Sequence, residues 1–157
     1  MQLIANLSML FTELPLLQRV AAAREAGFDA VEIQFPYEVS PLELKRELDA
    51  NGMPLVLINL PAGDLMTGGA GLACQPKLTR KFAEALDSAL EYAAIVKPQK
   101  VNVLAGRLLD GQDAQQAFMT LANNLYETAR AFPGCMCMCM CRCWQKRSTR
   151  WTCRAFF

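Results

Sequence analysis

Apolar residues along this chain keep two alternating rhythms. After a short apolar run, MQLIANL, interrupted by Asn6 and followed by Ser8, residues 14–26 carry Leu16, Leu17, Val20, Ala21 and Ala23 at i, i+3, i+4 spacing. That spacing is the stripe of an amphipathic helix, and Gly27 closes it. FDAVEIQF reads as the next strand. Ser40-Pro41-Leu42-Glu43 reads as an N-cap with proline at the first helical position, and the helix runs to residue 50. Asn51-Gly52 ends it with residues suited to the left-handed conformation. MPLVLINL is a strand, residues 61–71 a glycine-rich loop, residues 77–95 a helix and KVNVLAG a fourth strand. Asp113 starts a last helix, whose apolar positions Phe118, Leu121, Leu125 and Ala129 hold one face until Phe132.

The order is strand, helix, four times over, with connections that suit parallel crossovers. LVLIN and VNVLAG are near-continuous apolar runs, as strands buried on both faces of a parallel sheet require. Half of a (β/α)₈ barrel and a small doubly wound sheet both fit this order. No G-x-G-x-x-G follows the first strand and no G-x-x-x-x-G-K-[ST] occurs, so the phosphate cradles of dinucleotide- and nucleotide-binding sheets are missing.

Length and charge narrow the partners. At 157 residues, 53% hydrophobic and 20% charged, the chain supports one core, a single domain or part of one. A net charge of +1 offers no basic excess for nucleic acid or an anionic membrane. No segment approaches the roughly 18 to 20 uninterrupted apolar residues needed to cross a bilayer, and the first residues lack a basic region before their apolar run. The expectation is a cytoplasmic protein.

Six strings separate the two architectures: A-N-L-S-M-L-F-T-E-L-P from Ala5, A-G-F-D-A-V-E from Ala26 with F-P-Y at 35–37, N-L-P-A-G-D from Asn59, G-L-A-C from Gly71, A-L-E-Y-A from Ala89 and V-N-V-L-A-G from Val101. Together, and in register from residue 2 to about 132, they resemble the hydroxypyruvate isomerase family of the xylose-isomerase-like barrels. The resemblance implies an α/β fold: the N-terminal half of a (β/α)₈ TIM barrel, about four βα units, over residues 1–132, with an irregular Cys-rich tail over 133–157. It implies an aldose–ketose type isomerase that interconverts hydroxypyruvate and tartronate semialdehyde, with 2-oxo-tetronate isomerases as close relatives. In such chemistry a carboxylate moves a proton between adjacent carbons through an enediol, while a divalent metal or fixed donors hold the two oxygens. The family's two acid/base glutamates lie on the fifth strand and near the end of the barrel, and neither is matched here. No catalytic residue or metal ligand is therefore assigned. The expected partner is a small hydroxy or oxo acid.

Barrel enzymes build their sites at the C-terminal ends of strands, which selects Asn6, Glu32, Asn59 and the turn at Leu104-Ala105-Gly106 as substrate-facing. Asn6 and Asn59 have a plainer alternative in bonding the backbone of the loops that follow, and Glu32 in being a solvated charge at a strand end. Ile58 stands where some relatives show histidine. The loop at 61–71 reads either as a mobile cover hinged on its glycines or as a solvent loop. Met9, Leu10 and Phe11 are expected to serve core or loop packing. A half-barrel would leave strands one and four as unpaired edges and apolar faces bare, which favours pairing with a second copy.

The tail GCMCMCMCRCWQKRSTRWTCRAFF carries six of the seven cysteines, in a chain without histidine. C-x-C repeats can bind soft metals as thiolates, but structural zinc sites favour C-x₂₋₄-C pairs, and a disulfide framework is out of place in a cytoplasmic protein. A reading frame moved back by one base explains more. Each Cys after a Met becomes Val, Trp144 becomes Leu and Gln145 becomes Ala. Permitted codons then give VHVHVHVPVLAEALNKVDMPGFF, which resembles the family's fifth strand and the loop after it, with the missing glutamate encoded across Gln145 and Lys146.

Overall fold

The computed structural model describes residues 1–132, together with the backbone of 136–140. Five parallel strands form one sheet in the order β1-β2-β3-β4-β5. They are β1 (Ile4–Asn6), β2 (Ala30–Ile33), β3 (Leu55–Asn59), β4 (Lys100–Leu104) and β5 (Met136–Met140). Helices α1 (Leu16–Glu25), α2 (Pro41–Ala50), α3 (Thr79–Val96) and α4 (Ala114–Ala131) connect them in turn. Sequential parallel strands, each followed by a helix, are the repeating unit of a (β/α)₈ barrel. A doubly wound sheet would reverse its strand order at a switch point.

Strand register divides the sheet into two faces of different character. Ala5, Val31, Ile33, Ile58, Val101 and Val103 are buried in one core with Val20 and Ala23 of α1, Leu44 and Leu48 of α2, Phe82, Leu86 and Ala89 of α3, and Ala117 and Leu121 of α4. The alternate positions, Asn6, Glu32, Leu57, Asn59, Lys100, Asn102 and Leu104, belong to the opposite face. A shift of register between Val31 and Glu32 keeps β2 and β3 in phase. The apolar runs thus feed a helix-packed core, and the polar interruptions collect where the interior of a barrel would lie.

The helix ends follow the chemistry of their residues, with two departures from expectation. Pro41 opens α2 after Ser40, yet the Ser40 side chain makes no capping hydrogen bond. At its end Gly52 takes the left-handed conformation (φ +60°), whereas Asn51 stays right-handed and its amide donates to the Glu47 carbonyl at 2.8 Å. A glycine reaches positive φ without steric cost, so Asn51 need not. Asp113 caps α4 as its position predicts, its carboxylate accepting from the Gln115 and Gln116 amides at 2.8 and 3.2 Å. Before α3, Pro76–Leu78 forms a turn of 3₁₀ helix.

The inner face of α4 is rotated from the one its apolar residues predict. Ala117, Leu121, Asn124 and Thr128 are buried, while Phe118 is 49% exposed and Ala129 is exposed. The reason is that both buried polar side chains are satisfied internally. Asn124 Nδ2 donates to the Ala73 carbonyl at 2.8 Å, and Thr128 Oγ1 to the Asn124 carbonyl at 2.7 Å. A buried polar group with its bonds made costs little.

Strand β4 is not an edge. Met136 to Met140 pair with Lys100 to Leu104 residue for residue, so the fold continues past residue 132 and the outer strands among the described residues are β1 and β5. A ladder of main-chain bonds forms on any extended backbone, which is why the weak strand propensity of alternating Cys and Met did not forbid it. The metal-binding and shifted-frame readings of the tail otherwise fall on residues 133–135 and 141–157, outside those described.

Candidate substrate-binding face

Four polar side chains gather toward the C-terminal ends of the strands, in two hydrogen-bonded pairs. Asn6 and Glu32 are register partners on β1 and β2, and Asn6 Nδ2 donates to Glu32 Oε1 at 2.7 Å. The other end of the Asn6 amide accepts from the Ser8 backbone N–H at 3.0 Å, and Ser8 Oγ in turn accepts from the Gln34 N–H at 2.8 Å. The expected loop-bonding role of Asn6 and its place beside Glu32 are therefore both real. One carboxylate oxygen of Glu32 is held in place by this chain of bonds, on a half-buried side chain.

Asn59 and Asn102 make the second pair. They are register partners on β3 and β4, and Asn102 Nδ2 donates to Asn59 Oδ1 at 2.8 Å. Both are buried, at 5% and 2% exposure. Asn59 lies two residues beyond the Leu57 that pairs with Glu32. Strand rise and spacing therefore separate Asn59 from Glu32 by roughly 8 Å along one face. Asn102 was not among the residues selected from the sequence. Its signal was present, since V-N-V-L places an amide in the middle of an apolar strand, where it must find partners or a purpose.

Two tyrosines brace the backbone around β3 from the helix side. Tyr37 donates its hydroxyl to the Asn59 carbonyl at 2.7 Å, and Tyr92 of α3 donates to the Pro36 and Val39 carbonyls at 2.9 and 3.2 Å. The two rings meet edge to face, 5.1 Å between centroids. Burial, with the neighbouring Tyr92, pushes the Tyr37 phenol far above its ordinary value, and burial raises Tyr92 to about 12. Both hydroxyls remain neutral donors across the physiological range.

Gly106 lies in a contact between loops. Its φ is +90°, and a Cβ there would stand 2.5 Å from the Ala70 carbonyl oxygen. Around it the Arg107 N–H donates to Ala70 O at 2.8 Å, Arg107 Nη1 to Gly68 O at 2.8 Å, and Gln75 Nε2 to Arg107 O at 2.8 Å. Asp64 Oδ1 accepts from the Gly71 N–H at 2.9 Å, and the bare α-carbon of Gly69 leaves room for that carboxylate. The loop at 61–71 is thus fastened to the β4–α4 loop. Phe11 packs edge to face on Phe28, whereas Met9 and Leu10 are exposed, so packing accounts for only one of those three.

Among the described residues the donor set does not make up a metal site. Glu32 is the only carboxylate on the five strands, its neighbours are amides already engaged with one another, and among the described residues no three His, Cys, Asp or Glu side chains converge. A hard divalent cation needs several oxygen donors and more than one negative charge to displace its water.

Known proteins share this fold. The profile of the xylose isomerase-like TIM barrel matches residues 20–135. The chain belongs to the xylose isomerase-like TIM barrel family. Hydroxypyruvate isomerase of Escherichia coli (strain K12) is 40% identical over 121 residues, 77% of this chain and 47% of that protein. A 2-oxo-tetronate isomerase of Cupriavidus necator is 40% identical over 127 residues, 81% of this chain and 49% of that one. The crystal structure of an AP endonuclease, family 2, from Brucella melitensis superposes with a TM-score of 0.82 at 32% identity, over 88% of this chain and 55% of that one. The chain spans about half the length of the curated relatives it matches. For a xylose isomerase-like barrel, Asn6 and Asn59 end their strands and Glu32 stands one residue from the end of its own, at the rim where barrel enzymes hold substrate. No helix among the described residues is long and apolar enough to cross a membrane.

Proposed function

We propose that this chain supplies the substrate-holding half of a cytoplasmic sugar-acid isomerase that interconverts hydroxypyruvate and tartronate semialdehyde. The observation that carries the reading is the pairing of Asn6 with Glu32 and of Asn59 with Asn102 on one strand-end face, in a chain 40% identical to a hydroxypyruvate isomerase. Isomerisation removes a proton from C3 and returns one to C2, while the hydroxyl hydrogen passes from the C3 oxygen to the C2 oxygen through an enediol. The product keeps every atom of the substrate. Each intermediate needs its two adjacent oxygens held in a plane by groups that do not reorganise, and bonded amides on rigid strands meet that need.

Proton transfer itself needs a base near the reacting carbons. Resemblance to the family puts that glutamate on the fifth strand, and β5 here reads MCMCM. This chain therefore binds without appreciable turnover. The shifted reading frame explains the loss: positions 137 and 139, which it converts to Val, are the register partners of Val101 and Val103. A 2-oxo-tetronate isomerase is the alternative favoured by equal identity, and it differs by one carbon in the acid it takes.

The test is an isomerisation assay on hydroxypyruvate and on a 2-oxo-tetronate, run on this chain and on a version with the frame restored and extended through the remaining strands. Activity confined to the extended version supports the reading, and the preferred acid chooses between its forms. If neither protein acts on either acid, the substrate class is wrong. Sequencing of the coding DNA that shows no one-base change against intact relatives removes the shifted frame alone.

A further inference from the structure

We propose that Asn102 reads a hydroxyl group on the ligand and sets the preference for a hydroxylated 2-oxo acid over its deoxy analogue. The inference deepens the isomerase reading and rests on it. It begins from the hydrogen-bond accounts of the four side chains on the strand-end face. Both ends of the Asn6 amide are used, one on Glu32 and one by Ser8. Asn59 Oδ1 is used by Asn102. Asn102 Oδ1 is buried and has no partner, alone in this respect among the buried side-chain polar atoms of the described residues.

A buried amide oxygen left without a donor costs free energy that a leucine of similar size would not. The position also lies on β4, whose neighbours Val101 and Val103 are fully apolar and buried, so an amide is not required for the strand to form. A ligand that completes the bond gives the cost a use. The geometry also limits which chemical group can do so. Exchange of O and N in both amides of the Asn59–Asn102 pair preserves their mutual bond and leaves Asn102 offering an N–H in place of an oxygen. A hydroxyl, which both donates and accepts, satisfies Asn102 in either arrangement. A carboxylate or a keto oxygen, which only accepts, satisfies one. A methyl group satisfies neither.

The consequence is selectivity of a kind that apolar packing cannot supply, because a site built to bond a hydroxyl leaves its own polar group bare when the hydroxyl is missing. Hydroxypyruvate carries the group and pyruvate lacks it. The experiment measures binding of both acids by the full chain, and by Asn102→Leu, in parallel titrations. The wild-type chain is expected to prefer hydroxypyruvate by about tenfold, the worth of one such bond. Asn102→Leu is expected to bring the ratio close to one by weakening hydroxypyruvate and leaving pyruvate almost unchanged. Amide spectra of the wild-type chain give a second readout that does not depend on how the variant folds. The Asn102 side-chain NH₂ signals should move with hydroxypyruvate and stay still with pyruvate.

Each other outcome has a definite meaning. If the wild-type chain binds both acids equally, or the preference survives in Asn102→Leu, or the Asn102 signals ignore hydroxypyruvate while the ligand binds, then a water completes Asn102 and the inference is overturned with the isomerase reading intact. If the chain binds neither these acids nor a 2-oxo-tetronate, the isomerase reading falls and takes this inference with it.

Discussion

At the scale of single residues, two glycines with the same backbone sign separate conformational strain from close contact. Gly27 and Gly106 have φ of +86° and +90°, but a Cβ at Gly27 meets nothing within 4 Å, while one at Gly106 meets the Ala70 carbonyl at 2.5 Å. Gly27→Ala should cost about 1 kcal/mol from the left-handed backbone alone. Gly106→Ala should cost at least about 2 kcal/mol more, since the fastened loops must part. Urea denaturation of the two variants checks the difference. Glu32 allows a sharper separation of charge from bonding. Glu32→Gln retains an acceptor for Asn6 and should change stability by less than about 1 kcal/mol, whereas Glu32→Ala strands the Asn6 amide and should cost about 1 to 2 kcal/mol.

The tyrosine pair gives a pH dependence with a definite sign. Folding raises the pKa of Tyr37 and of Tyr92, the latter to about 12, above the ordinary value of 10.0. The folded chain therefore holds these protons more tightly than the unfolded chain does. The stability they contribute is complete below about pH 10 and is lost as pH rises toward the folded values. Tyr37→Phe should flatten the alkaline fall in stability measured between pH 10 and about 12 by roughly the share of one such group.

At the scale of elements, α4 tests which side of a helix its residues reveal. Leu121→Ala should cost about 2 to 4 kcal/mol and Phe118→Ala under about 1, although the apolar pattern gives the two residues the same standing. Thermal melts of both variants decide it. The order and kind of every strand and α-helix through residue 132 were legible in the sequence, because parallel strands and amphipathic helices leave different periods. The phase of α4 was not, because Asn124 and Thr128 are polar in composition and buried in fact, with partners on Ala73 and Asn124 that lie far away or within the helix. Asn6, Glu32 and Asn59 were legible for a different reason, since they stand at strand ends in a fold whose sites lie there. Asn102 lies in the middle of β4, away from such an end, and was concealed by the valines around it. Gly106 was chosen by the same strand-end rule, and its conformation serves the contact with Ala70. β5 was hidden by its own composition, because a backbone ladder can form where side-chain propensity argues against it.

At the scale of the whole molecule, the sheet has one face dressed by helices and one face that carries the polar strand residues. Four helices cover the first with a continuous apolar core, and the second carries the two amide-centred pairs. In a chain that spans about half of its curated relatives, this division puts the apolar core on one side of the sheet, and the proposed function puts ligand recognition on the other. The central claim is that the Asn6–Glu32 and Asn59–Asn102 face binds a short hydroxylated oxo acid. The most direct measurement is a titration of the isotopically labelled chain with hydroxypyruvate, followed residue by residue in its amide spectrum. The account predicts saturable shifts concentrated at the C-terminal ends of β1 to β4, with the side-chain amides of Asn6, Asn59 and Asn102 among them. Shifts confined to the groove that Tyr37, Ser40, Ser88 and Tyr92 line between α2 and α3, or no saturable shift at all, would contradict it.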